Sequence, residues 1–141
     1  MPLRFAAALL LLGLSATAAD EEAPIEVRGP TVVAFFPPTT DKQLESDPGT
    51  NEALADFQLY ASQVAGPFAK SGIDFHVVVA RSFQLRVGKK LIRFRPRRVS
   101  IGYYFIAPGK KPRIQEGVDT SIDLAGIARD YFGIAVPLPA R

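Results

Sequence analysis

The chain has 141 residues, with 17 basic and 14 acidic side chains, one histidine and no cysteine, for a net charge of +3. The missing thiol excludes a disulfide framework, a thiolate nucleophile and cysteine metal ligands, and a single histidine excludes a histidine-rich metal centre. With 48% apolar and 22% charged residues, the composition is that of an ordered globular domain.

Residues 1–19 have the layout of a secretory signal peptide. Arg4 supplies a basic start, Phe5 to Leu14 an apolar run, and Ala16-Thr17-Ala18 a small-residue cleavage site. A membrane span needs about 20 apolar residues, twice what this run offers. Cleavage after Ala18 or Ala19 is therefore expected, placing the mature chain in the periplasm or outside the cell. With no cysteine after the cut, a lipoprotein anchor is excluded.

Residues 20–29 are acidic, contain Pro24 and Gly29, and read as a flexible lead-in. Thr31 to Phe36 (TVVAFF) is a continuous apolar run between prolines, the pattern of a strand covered on both faces. Thr39 to Gly49 is polar and closes on the turn signal Asp47-Pro48-Gly49. Thr50 is then expected to cap a helix whose inner stripe is Leu54, Phe57, Ala61, Val64 and Phe68. Pro67 should kink or end it, and Ser71-Gly72 should close it. Phe75 to Ala80 (FHVVVA) reads as a second inner strand, completing a β-α-β unit.

Residues 83–95 alternate apolar and basic side chains around Gly88-Lys89-Lys90, which predicts a hairpin. A second hairpin is expected from Val99 to Ala107 and from Arg113 to Val118, across Pro108-Gly109-Lys110-Lys111-Pro112. Thr120 starts a final helix with Ile122, Ala125, Ala128 and Phe132 inward, stopped by Gly133 and Pro137. The domain boundaries follow as 30–135, with a short tail at 136–141.

Charge is unevenly spread. Residues 20–74 hold ten acids and three bases, whereas residues 75–115 hold eleven bases and no acid. The basic group comprises Arg81, Arg86, Lys89, Lys90, Arg93, Arg95, Arg97, Arg98, Lys110, Lys111 and Arg113. Arg93, Arg95 and Arg97 alternate, which on one strand aims all three to the same face, and guanidinium forks suit phosphate or carboxylate. Phe94, Tyr103 and Tyr104 lie nearby, as in single-strand nucleic-acid binders. The plainer readings are a solvated face or balance against the acidic half of the same domain. His76 is the one candidate general base, but its strand context supplies no orienting partner. Asp41, Glu45, Asp47, Glu52 and Asp56 match no EF-hand spacing and are explained by a solvated loop and a helix start, so no metal and no cofactor is expected.

The order strand, helix, strand, hairpin, C-terminal helix resembles the thioredoxin fold. Thr31 to Gln43 looks like that family's first core strand and active-site loop, and Tyr103 to Gly117 like its closing hairpin. The resemblance implies an α/β fold, a three-layer α/β/α sandwich with a mixed central sheet and an inserted basic β-hairpin where the family usually has a helix. It also implies an emptied site. Where the family carries Cys-Gly-Pro-Cys, this chain has Thr40, Asp41, Lys42 and Gln43, with Thr39 in place of the preceding tryptophan. The buried carboxylate falls at Ala34 and the cis-proline near Ile101. Thiol-disulfide exchange is thereby excluded, and no other catalysis is expected. The reading is an exported, non-catalytic binding module with a protein partner in the cell envelope, presenting the loop Thr39 to Gln43 and the basic hairpin to it. The alternative is an anion-binding envelope protein that uses Arg86, Lys89, Lys90, Arg93, Arg95, Arg97 and Arg98 against anionic lipid, nucleic acid or an acidic protein.

Overall fold

A computed structural model describes residues 23–96 and 101–139. The predicted signal peptide at 1–19, Asp20 to Glu22, Arg97 to Ser100 and the last two residues lie outside the described residues. Seven strands and three helices follow in the order β1 (Ile25–Val27), β2 (Thr31–Phe36), α1 (Asp41–Ser46), α2 (Pro48–Lys70), β3 (Asp74–Val79), β4 (Phe83–Val87), β5 (Lys90–Phe94), β6 (Gly102–Ile106), β7 (Arg113–Glu116) and α3 (Ser121–Phe132). No helix among the described residues is long and apolar enough to cross a membrane.

The central sheet has the order β3-β2-β6-β7. Strands β2 and β3 run parallel, with Ala34 opposite Val77. Strand β6 is antiparallel to β2, and β7 antiparallel to β6. All six residues of β2 are buried, because both faces of this strand are covered, and its one polar side chain, Thr31, donates to the Gly29 carbonyl at 3.0 Å.

Side-chain alternation divides the core in two. Val32, Ala34 and Phe36 join Tyr103 and Phe105 under α2 and α3. Val33 and Phe35 join Tyr104 and Ile106 against a second, three-stranded sheet of order β1-β4-β5. The outer layer expected to be helical is thus a small sheet, and the molecule stacks helices, sheet and sheet. The reason lies in residues 83–94, whose period-two pattern places Phe83, Leu85, Ile92 and Phe94 on one side of a hairpin. Phe35, Phe83, Phe94 and Tyr104 close this layer with ring centroids 4.8 to 5.8 Å apart.

Residues 25–27, expected to be a loose lead-in, form β1 and pair in parallel with β4, with Ile25 opposite Leu85. Val27 is buried there, so a three-residue strand gains a place in the core. The tail is also part of the packing, since Val136 is buried beneath the helices and Leu138 packs against them.

Helix α2 buries the expected five residues, Leu54, Phe57, Ala61, Val64 and Phe68. Burying each Phe contributes about 1.5–3 kcal/mol. The helix passes through Pro67 and ends at Lys70, because a proline within the last turn forfeits a single backbone bond. Its cap is Asp47, not Thr50. The carboxylate accepts from the Thr50 N–H at 3.3 Å and the Thr50 hydroxyl at 2.7 Å, with Pro48 in the first turn. These bonds from Thr50 hold the Asp47 carboxyl below its ordinary pKa.

Helix α3 faces the core differently from expectation. Leu124, Ile127 and Ala128 are buried, whereas Ile122 is 70% exposed. The stripe that wins carries the bulkier pair Leu124 and Ile127, with Ala125 and Phe132 left half-buried beside it. Thr120 caps the start by accepting from the Asp123 N–H, and Gly133 closes the end at φ 74°, a left-handed conformation that favours glycine.

Candidate functional site: the cleft at the carboxyl end of β2

Strand β2 ends because Pro37 and Pro38 cannot continue the ladder. The chain then turns through Thr39 into α1, a helix of six residues held by a reciprocal cap. The Gln43 N–H donates to Thr40 Oγ1 at 3.1 Å, and the Thr40 N–H donates to Gln43 Oε1 at 2.8 Å. Asp47 ends α1, its N–H donating to the Gln43 carbonyl, and starts α2. A hard corner results, with the first turns of α2 folded back over the end of β2.

Across the corner, β6 and β7 end together. The Gly117 N–H donates to the Ile101 carbonyl at 2.7 Å, and Gly117 sits at φ 105°, where a side chain would be strained. Between these two ends lies an open cleft of about 430 Å³. Its apolar walls are Phe36 and Pro37 from the end of β2, Ala53 and Leu54 from α2, and Ile101 and Val118 from the far side. Thr39, Thr50 and Glu116 supply its polar groups, and the Thr50 hydroxyl is already committed to Asp47. A crevice beyond the carboxyl end of a strand is the usual ligand position in sheets with parallel pairs.

Of the predicted loop, only Thr39 reaches the cleft. Thr40, Asp41, Lys42 and Gln43 are exposed on α1, and the polar groups of Thr40 and Gln43 are spent on capping each other. Ile101 does line it, as do Ala53 and Leu54, which the sequence pattern marked as helix surface and core. The only advance signal for those two was the DPGT turn that fixes where α2 begins.

Beside the cleft, β6 and the segment that follows β7 carry an unusual polar pair. Tyr103 is fully buried against Phe57, ring centroids 5.0 Å apart, and its hydroxyl has no hydrogen-bond partner among the described residues. Oδ2 of Asp119, the residue after Val118, is likewise buried with no partner among them. Burial raises the Tyr103 pKa, and the nearby Asp119 charge raises it further. Burial also raises the Asp119 pKa, with Asp123 adding to the shift and Gln115 opposing it.

The basic hairpin lies elsewhere. Gln84 opposes Arg93 and Arg86 opposes Leu91 on the outer face of the small sheet, away from the buried partners of Leu85 and Ile92. Arg86 pairs with Glu26 at 3.3 Å, both about half exposed, a contact worth under ~1 kcal/mol. Lys89, Lys90, Arg93 and Arg95 are exposed and have no carboxylate partner among the described residues. Arg97 and Arg98 lie outside the described residues. Among the described residues Arg86, Lys89, Lys90, Arg93 and Arg95 do not line the cleft. Lys110 has a separate task, donating to the Tyr131 carbonyl at the end of α3 and lying 4.5 Å from the centre of that ring.

His76 is half-buried on β3, opposite Val33, and burial lowers its pKa while Asp74 opposes the shift. No side chain among the described residues orients it by a hydrogen bond. Among those residues no three carboxylate or histidine groups come together as a metal site.

Comparison with protein-family models, curated proteins and solved structures finds no match to this chain. Its functional reading therefore rests on the cleft and the basic hairpin.

Proposed function

We propose that this protein is an exported, non-catalytic binding module of thioredoxin-like architecture. It holds an apolar segment of a partner protein in the cleft at the carboxyl end of β2. The observation that carries this reading is the cleft itself, an open apolar crevice with few free polar groups. Its position supports the kinship, because Thr39 and Ile101 stand where the resemblance places the active-site edge. The strand order β3-β2-β6-β7, with one parallel pair and an antiparallel hairpin, supports it as well. The small sheet in place of a helix is this chain's own departure. Thiol-disulfide exchange has no group to perform it.

The second reading is anion binding by the hairpin, favoured by four exposed cations with no carboxylate partner among the described residues. A photo-reactive amino acid at Ala53 or at Arg93, introduced separately into the exported protein, separates the two. A single adduct from position 53 that persists in high salt supports the cleft. Adducts from position 93 alone, lost as salt rises, support the anion surface and overturn the cleft reading.

A further inference from the structure

The two sheets expose four edge strands among the described residues, and three carry the usual guards against pairing. Strand β1 is only three residues long with Glu26 at its centre, β5 carries Lys90 and Arg93, and β7 carries Arg113 and Glu116. Short length and charge of this kind keep an edge from recruiting another strand. Strand β3 is longer and carries a single charge, Asp74 at its first position. From Phe75 to Ala80 the sequence FHVVVA holds no acid, lysine, arginine, proline or glycine, and among the described residues β3 bonds only to β2. Val77 is 54% exposed and Val79 41%.

The backbone of β3 is set for pairing. The Asp74 N–H donates to Pro30 and the Ala80 N–H to Phe36, so even-numbered residues bond inward to β2. By strand alternation, Phe75, Val77 and Val79 turn their N–H and C=O groups outward. Those three also share one side-chain face, where Phe75 meets Phe68 of α2 at 5.7 Å between ring centroids. Asp74 opens the strand with a negative charge, and Arg81 follows it with a positive one, both exposed.

We propose that β3 pairs antiparallel with β3 of a second copy of this chain, around a two-fold axis at Val77. This register sets Val77 opposite Val77 and Phe75 opposite Val79, three pairs that exchange two backbone bonds each, about six bonds in all. The helical layers of both copies stay on the same side, as a two-fold axis perpendicular to the sheet requires. The exposed valines cover one another. The end charges select a second copy over an unrelated strand: Asp74 of one chain falls opposite Ala80 and beside Arg81 of the other, at both ends. The joined central sheet has eight strands. The pairing uses none of the cleft residues, so it stands or falls separately from the binding reading.

Sedimentation of the mature chain over a range of concentrations tests this. The expected result is a reversible dimer. Val77→Lys, which sets two ammonium groups opposite each other at an exposed position, should weaken it at least tenfold while far-UV circular dichroism and the melting temperature stay near wild type. Asp74→Arg and Arg81→Asp should each weaken association, and the double reversal should restore it. Because the chain has no cysteine of its own, Val77→Cys gives one unambiguous cross-link. Mild oxidation should convert it to a covalent dimer, whereas Ile122→Cys on α3 should remain uncross-linked. A chain that sediments as a monomer throughout overturns the proposal. So does a dimer indifferent to Val77→Lys, or one that Val77→Cys fails to trap.

Discussion

Replacing Tyr103 with phenylalanine should make this protein more stable. The Tyr103 side chain is fully buried and its hydroxyl has no hydrogen-bond partner among the described residues, so the folded state carries the desolvation cost of that group, about 1–3 kcal/mol. The phenylalanine ring keeps the packing on Phe57, 5.0 Å away between centroids. The void left by one oxygen, on the order of 10 Å³, costs only about 0.2 kcal/mol. The net gain is therefore about 0.8–2.8 kcal/mol. Unfolding entropy near the midpoint is about 2.1 cal/mol/K per residue, or roughly 0.25 kcal/mol/K for the roughly 120 residues after the predicted cleavage. The melting temperature should rise by about 3–11 °C, read by calorimetry at neutral pH, with a matching shift of the urea midpoint. A fall in stability would refute the reasoning, since it would mean that the hydroxyl makes a bond worth more than its burial costs.

Asp119→Asn tests the other half of that pair. A raised folded-state pKa means that ionisation is penalised in the native protein, so stability is lost as pH rises from below the ordinary value of 3.8 through the folded pKa. The variant should be more stable than wild type at pH 7, and its advantage should vanish in melts below about pH 4. His76 acts on the acid side with the opposite sign: its pKa is lowered by burial, so its contribution is lost as pH falls below the ordinary 6.5. His76→Gln should flatten the melting temperature between pH 7 and 5 relative to wild type. Gly102→Ala should cost about 1–3 kcal/mol in urea unfolding, because the new Cβ would lie 2.6 Å from the Gln115 carbonyl oxygen and 3.1 Å from the Phe35 ring. A change under about 0.5 kcal/mol would show that β6 and β7 part easily there.

The central sheet could be read from the sequence because its strands obey simple rules. TVVAFF is apolar after Thr31 since both faces of β2 are covered, and the 54–57–61–64–68 stripe has one helical phase only. The hairpin at 83–94 was visible by alternation, but its consequence was not. Nothing local says that Leu85 and Ile92 pack on Phe35 and Val33 instead of projecting into solvent, and that packing turns an insertion into a whole layer. β1 was hidden for a related reason, as a three-residue strand shows no periodicity and exists because β4 offers it an edge. On α3, two stripes of similar hydrophobicity compete, and only the position of the sheet decides for Leu124 and Ile127 over Ile122.

The candidate site was legible in place more than in membership. Two prolines after β2 mark the end of the sheet where a crevice forms. The loop residues expected to act there are taken up by helix capping, an outcome that depends on Thr40 and Gln43 standing three apart. The far wall, Ile101 with Glu116 to Val118, comes from residues distant in sequence that only the β6–β7 register brings together. The charge asymmetry was plain, yet among the described residues it yields one ion pair between the acidic segment and the hairpin, Glu26 with Arg86.

The claim that the cleft is the binding surface is tested most directly by filling it. Capture of protein from a cell-envelope fraction by residues 20–141 should be compared for wild type, Ala53→Trp, and the double variant Arg93→Ala with Arg95→Ala, each at low and high salt. The cleft account predicts that Ala53→Trp abolishes capture at both salt concentrations while the double variant captures as wild type does. Undiminished capture by Ala53→Trp, with loss in the arginine variant or in high salt, would contradict it.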